Sequence, residues 1–262
     1  MSNYRFGFLY MVCLVMPFIL YSQDNIPKGN QVEDFCHRYI LPDNFATASL
    51  LNNSIVSLHF RNDFFLVELS KKRLDCILPF RDNGFHFQIA HDGYSRFGEL
   101  KTSMAYSRTF KKKFAVGMQF HYLMHHAKNY EPMHSLSIDF SLYTQLFTSA
   151  WVGIQAVNPF RLKYAIIGRE TIPTKLCFVG IYKLNKEILF SIAIRKTLPG
   201  FLDAEFFLLF KKGSWSVVPS FSLARMGVNL AYSKKFFEIS LCTDFYYLTG
   251  FSSSAKFSVF LK

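Results

Sequence analysis

Charge is scarce in this chain. Asp, Glu, Lys and Arg make up only 18% of its 262 residues, where a soluble domain usually carries about a quarter. No CxxC pair occurs, and no Cys/His spacing suits zinc. No GxSxG nucleophile elbow occurs either. No apolar run reaches the ~20 residues of a membrane helix. Helical spacing of apolar residues is hard to find beyond Ser54. These absences argue against a zinc-stapled fold, a serine hydrolase of that type and a bundle of membrane helices.

Aromatic residues, by contrast, are abundant. They reach 18%, with 31 Phe and 14 Tyr. Mean hydropathy is +0.14, between a soluble protein and a helical membrane protein. A fold facing lipid on one side and water on the other falls there. The N-terminus adds an export signal. Arg5 precedes the apolar run Phe6 to Leu20, and Tyr21-Ser22-Gln23 follow. This is the layout of a secretory signal peptide, with cleavage expected after Ser22. A retained N-terminal anchor is the alternative. Cys13 follows Val12 rather than a small residue, which speaks against a lipoprotein. Cleavage leaves Cys36, Cys76, Cys177 and Cys242. Export permits disulfides, but three of these sit in candidate strands as small apolar residues. The net charge of +12 would first suggest nucleic acid, which an exported chain rarely meets. No nucleic-acid partner is expected.

From Ser54 to Lys262 apolar residues recur at every second position. In Ser135–Leu146, Leu136, Ile138, Phe140, Leu142 and Leu146 share one face, and Ser135, Ser137, Asp139 and Ser141 the other. Lys113–Met124 sets Phe114, Val116, Met118, Phe120 and Tyr122 against Ala115, Gly117, Gln119 and His121. Such runs last about 9–12 residues, the length a tilted strand needs to cross a bilayer. Strands of a β-sandwich average nearer 5–6. A soluble sandwich or lipocalin-like barrel is the alternative reading.

The pattern predicts strands near 54–60, 65–80, 83–90, 98–109, 113–124, 133–146, 149–157, 175–183, 187–196, 202–211, 214–222, 225–233, 236–247 and 252–262. The second is open to a break at Lys71-Lys72. The fold class is therefore all-β, an antiparallel transmembrane barrel of about 14 strands, with about 12 as the alternative. The domain plan is a signal peptide over 1–22, a periplasmic lead-in over 23–53 and the barrel over 54–262. An even strand number puts both ends in the periplasm. Tight connections such as Lys212-Gly213 and Lys234-Lys235 then face inward, and the long His125–Pro132 and Asn158–Thr174 outward. Lysines cluster at the inner turns. They either sit near anionic phospholipid headgroups or simply solubilise the turns.

Polar residues expected to face the lumen are His86, Gln88, Gln119, His121, Asp139, Gln155, Arg195, Glu205, Asn229, Asp244 and Lys256. Both signs of charge recur among them, and paired in a narrow barrel they would plug it. His121, His125, His126 and His134 crowd one outer loop, but adjacent His125 and His126 point to opposite strand faces, so no metal site is expected. Asp139 with Ser137 and Ser141 has hydrolase residue types, yet equally suits a wet lumen wall. No catalytic residue, cofactor or metal is expected. The expected partners are outer-membrane lipid and secretion-system or exported proteins.

Short motifs add a resemblance. Gly93-Tyr94-Ser95-Arg96-Phe97-Gly98-Glu99-Leu100, Met104-Ala105-Tyr106-Ser107-Arg108 and Phe114-Ala115-Val116-Gly117-Met118-Gln119 resemble PorV/PorQ-like barrels of Bacteroidota. Trp151-Val152-Gly153 with Asn158-Pro159-Phe160, and Val179-Gly180-Ile181-Tyr182, resemble that family's later landmarks. The resemblance implies a FadL-like barrel in the bacterial outer membrane, non-enzymatic, with a type IX secretion or surface-assembly role. FadL-like transport of apolar small molecules is the alternative. Phe45–Leu51 lacks the glycines of the family's lead-in, a departure that counts against a FadL-like N-terminal plug and against the secretion role.

Overall fold

The computed structural model describes residues 44–111, 113–162, 172–198 and 200–261. The signal peptide expected over 1–22, and the lead-in up to residue 43, lie outside the described residues. The strands are β1 Ser54–Asp63, β2 Ser70–Phe80, β3 Asn83–Gly93, β4 Phe97–Phe110, β5 Phe114–Ala127, β6 Met133–Phe147 and β7 Ala150–Val157. They continue as β8 Thr174–Lys183, β9 Ile188–Leu198, β10 Leu202–Lys212, β11 Trp215–Ser222, β12 Arg225–Ser233, β13 Phe237–Tyr246 and β14 Gly250–Leu261. Each pairs antiparallel with its sequence neighbours. β1 and β14 close the ring, with Ser54 opposite Leu261. The strand number is therefore fourteen and not twelve.

Closure removes every sheet edge, so backbone groups pair all around the wall. It also fixes two faces. Outward positions carry Leu58, Phe60, Met118, Phe120, Leu136, Phe206, Val228 and Leu241, all exposed. Inward positions carry serines, charges and small residues. The start of β1 and the end of β14 lie at one end of the barrel, called here the terminal end; the other is the far end. Aromatic side chains gather outside at the terminal end. Phe110 meets Phe114, and Trp215 tilts against Tyr232 with ring centroids 4.8 Å apart. Arg81, Arg108, Lys234 and Lys235 lie over Phe80, Phe110, Tyr232 and Phe236. Such aromatic and basic girdles mark a lipid–water boundary.

The strand expected over 65–80 begins instead at Ser70. Phe64 and Phe65 take left-handed φ values of 58° and 57°, which no strand accommodates. A short 3-10 turn, Val67–Leu69, follows. The apolar run continues the alternation in sequence, but its backbone has already turned.

A second difference lies at the lead-in. Phe45–Leu50 forms a 3-10 turn inside the lumen at the terminal end, against β2 to β6. Phe45, Ala46, Thr47, Ala48 and Ser49 are all buried. A plug segment is therefore present although the glycines expected of one are missing. Its own residues are small, and the glycines lie in the wall. A Cβ at Gly84 would collide with the backbone at Ala48 and Ser49. One at Gly117 would stand 2.8 Å from Phe45 Cδ2. Beside the plug, Tyr143, Trp151, Val179, Ile181, Leu189, Leu209 and Val218 pack with Ala46 and Ala115 into an apolar core within the barrel.

Candidate functional site

The lumen divides by chemistry along its length. The terminal half holds the plug and the apolar core. The far half is polar. Strand alternation puts all the lumen residues expected from sequence on the inward face, together with several that sequence reading passed over.

The plug is hydrogen-bonded to the wall. Asn44 Nδ2 donates to the Leu142 carbonyl at 3.1 Å, and the Ala46 amide donates to Ser141 Oγ at 3.0 Å. Ser49 Oγ lies 2.6 Å from Thr109 Oγ1. The buried polar groups of a short 3-10 turn need such partners. Ser141 on β6 and Thr109 on β4 supply them.

Beyond the plug, charges alternate in sign around the inner wall. Lys71 Nζ lies 3.3 Å from Asp63, and Arg61 Nε 2.6 Å from the same carboxylate. Arg61 also reaches Asp244 at 3.2 Å, and Arg225 reaches it at 2.9 Å. Arg225 and Arg195 each hold one oxygen of Glu205 at 2.6 Å. Arg195 lies 3.7 Å from Asp203. The chain therefore joins β2, β1, β13, β12, β10 and β9 with four cations and four anions. Glu205 is fully buried, and two guanidiniums compensate its desolvation. Of the expected residues, Arg195, Glu205 and Asp244 belong here. Arg61, Asp63, Lys71, Asp203 and Arg225 were missed. Arg61 and Asp63 share strand parity with inward His59, which was the available signal.

A second group centres on Asp75. It accepts from Gln88 Nε2 at 2.9 Å, lies 3.0 Å from His86 Nε2 and takes Arg73 Nε at 2.9 Å. A third joins Ser103, His121 and Asp139. Ser103 Oγ lies 2.6 Å from His121 Nδ1, and His121 Nε2 lies 2.7 Å from Asp139 Oδ2. Ionised, a carboxylate only accepts, so Nε2 carries a proton and the neutral ring accepts from the Ser103 hydroxyl.

These are hydrolase residue types, but the serine is not Ser137 or Ser141, the two considered from sequence. Ser103, His121 and Asp139 are 2%, 3% and 2% exposed, so no substrate reaches them. Their other end is structural. Asp139 Oδ1 accepts the Asn158 amide at 3.0 Å. Asn158 takes φ 46°, donates to the Ile172 carbonyl at 2.7 Å and accepts from the Leu162 amide at 3.0 Å. The buried chain thus ties the long β7–β8 connection to the wall.

The remaining expected residues stand apart from these groups. Gln119 is buried opposite Asp139. Gln155 faces Ser141 and Cys177, and Asn229 faces Val218 and Cys242. Lys256 lies opposite His59 and lines a cavity of about 50 Å³ under the plug. Of the crowded histidines, His125 turns inward to Glu99 at 3.3 Å, and His134 stacks outside on Tyr122. Among the described residues no His/Cys/Asp/Glu group is placed to hold a metal. Cys76, Cys177 and Cys242 are free thiols.

Two cavities bear on passage. The 50 Å³ space under the plug is far below the ~300 Å³ at which small-molecule pockets begin. At the far mouth a cup of about 510 Å³ is lined by Arg61, Asp63, Lys71, Asp203, Arg225 and Tyr246. It is polar and opens outward.

No family model and no curated protein matches the sequence. Solved structures do match. One of the Pseudomonas putida toluene transporter TodX superposes with a TM-score of 0.59 at 8% identity, covering 84% of this chain and 91% of that one. Another of the same transporter gives 0.57 at 9%, covering 83% and 90%. A TodX deletion mutant, a monoaromatic hydrocarbon channel, gives 0.57 at 10%, covering 84% and 92%. At such identities the likeness concerns fold alone. The chain has the closed, all-antiparallel barrel fold of a bacterial outer-membrane protein of the TodX kind.

Proposed function

We propose that this protein is a non-enzymatic, occluded barrel of the bacterial outer membrane that docks exported or secretion-system proteins through its far end. In this orientation the terminal end faces the periplasm and the far end the cell surface. The observation that carries the reading is the far rim. Phe65, Tyr130, Phe201, Leu223 and Leu248 stand on five separate far-end connections and are 70%, 79%, 88%, 83% and 98% exposed. Exposed apolar residues that converge on one rim mark a surface for a partner. Behind them the plug and the charge chain oppose free flow. The PorV/PorQ-like motifs support secretion or surface assembly as the setting.

The test is deletion of the gene, with the surface proteome compared before and after. Loss of a set of surface proteins, reproduced by a Phe201→Glu/Leu248→Glu variant that still inserts, is the expected result. An unchanged surface proteome overturns the reading.

The second reading is a FadL-like conduit for apolar small molecules. The TodX-like fold and the plug inside the lumen favour it. Uptake of a monoaromatic hydrocarbon by cells carrying the barrel, and not by cells lacking it, would select this reading.

A further inference from the structure

One part of the outer wall departs from its apolar character. Near the far end of β2, β3 and β5 the outward positions are Lys72, His91 and His126. Lys72 is opposite His91 across the β2–β3 ladder. His91 and His126 lie with ring centroids 6.2 Å apart. Gly98 of β4 lets them approach, since a Cβ there would stand 2.7 Å from His126 Cε1 and 3.3 Å from His91 Nε2. Lys72 is exposed and makes no ion pair with the described residues. The nearest acids along these strands, Asp92 and Glu99, are on the inward face, where Glu99 meets His125. Arg96, in the turn joining β3 to β4, adds an exposed cation above them.

A groove of about 690 Å³ runs over the wall below this group. Leu58, Phe60, Leu74, Ile89 and Phe257 line it over the small side chain of Ala255, with Lys72 and His91 at its rim. An apolar trough topped by Lys72, His91 and Arg96, near the far rim of the wall, matches an acyl chain below an anionic head.

We propose that this site holds a phosphorylated glycolipid of the outer leaflet, lipid A, with a phosphate on Lys72, His91 and Arg96 and an acyl chain in the groove. The proposal rests on the outer-membrane orientation given above. Charge complementarity selects an anionic head, and the far-end position selects the outer leaflet.

The test is native mass spectrometry of the full chain in detergent micelles, after addition of bis-phosphorylated lipid A, dephosphorylated lipid A or phosphatidylglycerol. One bis-phosphorylated lipid A should remain bound, and the other two should bind about tenfold more weakly. Lys72→Glu/His91→Ala should weaken lipid A about tenfold. So should Ala255→Trp, which fills the groove and leaves the charge intact. Equal retention by either variant, or of phosphatidylglycerol, overturns the proposal. The mobility shift between boiled and unboiled samples, followed in every variant, separates loss of the site from failure of the barrel to fold, and maleimide labelling of a Leu248→Cys variant on intact cells separates it from failure of the orientation.

Discussion

Glu205 concentrates the electrostatics of the lumen in one side chain. It is fully buried, and each of its oxygens takes a guanidinium at 2.6 Å. Glu205→Gln keeps the shape and removes the charge, leaving Arg195 and Arg225 facing a neutral amide. Arg195 is 41% exposed and water will screen it. The expected cost is about 1–3 kcal/mol, the range for a buried polar group left poorly matched. Urea unfolding in vesicles, followed by gel mobility, measures it. A change within ~0.5 kcal/mol, usual for surface sites, would make the charge chain ornamental. Gly227 serves the same network from the wall. A Cβ there would overlap Asp244 Oδ1 and stand 2.9 Å from Ser220 Oγ. Gly227→Ala should therefore displace the Asp244 carboxylate and lower stability by about 1–3 kcal/mol, while Gly180→Ala, whose nearest neighbour is 3.6 Å away, should not.

At the scale of elements, the alternation located nearly every strand, because a two-residue period has one cause in a barrel, lipid outside and lumen inside. It failed where side-chain pattern and backbone part company, at Phe64 and Phe65. It offered part of the inward face and passed over Arg61, Asp63, Lys71, Asp203 and Arg225. It did not give the partners. Which carboxylate meets which guanidinium depends on the stagger of neighbouring strands, and turn geometry, not composition, sets that stagger. Ser103 illustrates this. It reaches His121 because it is opposite it on the β4–β5 ladder, from 18 residues away in sequence. The plug was hidden for another reason. Its fit depends on Gly84 and Gly117, which read in sequence as ordinary strand residues. This gives an element-level prediction. In a background with the other cysteines replaced, Thr47→Cys should resist a membrane-impermeant maleimide. Adding Gly117→Val, which crowds Phe45 and Ala46, should make it react. Labelling at the same rate in both would mean that the wall does not hold the segment.

For the molecule as a whole, two obstacles stand in series. The plug and apolar core close the terminal end, and the alternating charges narrow the far half. The intact barrel should therefore show no large, steady conductance in a planar bilayer. Deleting 44–51 removes the plug and leaves most of the apolar core and the charge chain in place. It also frees Ser141 and Thr109, which lose their plug partners and can bind water instead. Water entering there would hydrate the terminal half, and intermittent current should appear. Its selectivity follows from the charge chain, where Lys71, Arg61, Arg225 and Arg195 balance Asp63, Asp244, Glu205 and Asp203. A ring in which the signs balance focuses neither sign of ion at that constriction, so the reversal potential under a salt gradient should stay near zero. Adding Glu205→Gln to the deletion leaves one positive charge in excess and should shift that potential toward anion selectivity. A silent deletion variant would assign the closure to the apolar core around Trp151. Large current through the intact chain would refute an occluded barrel outright.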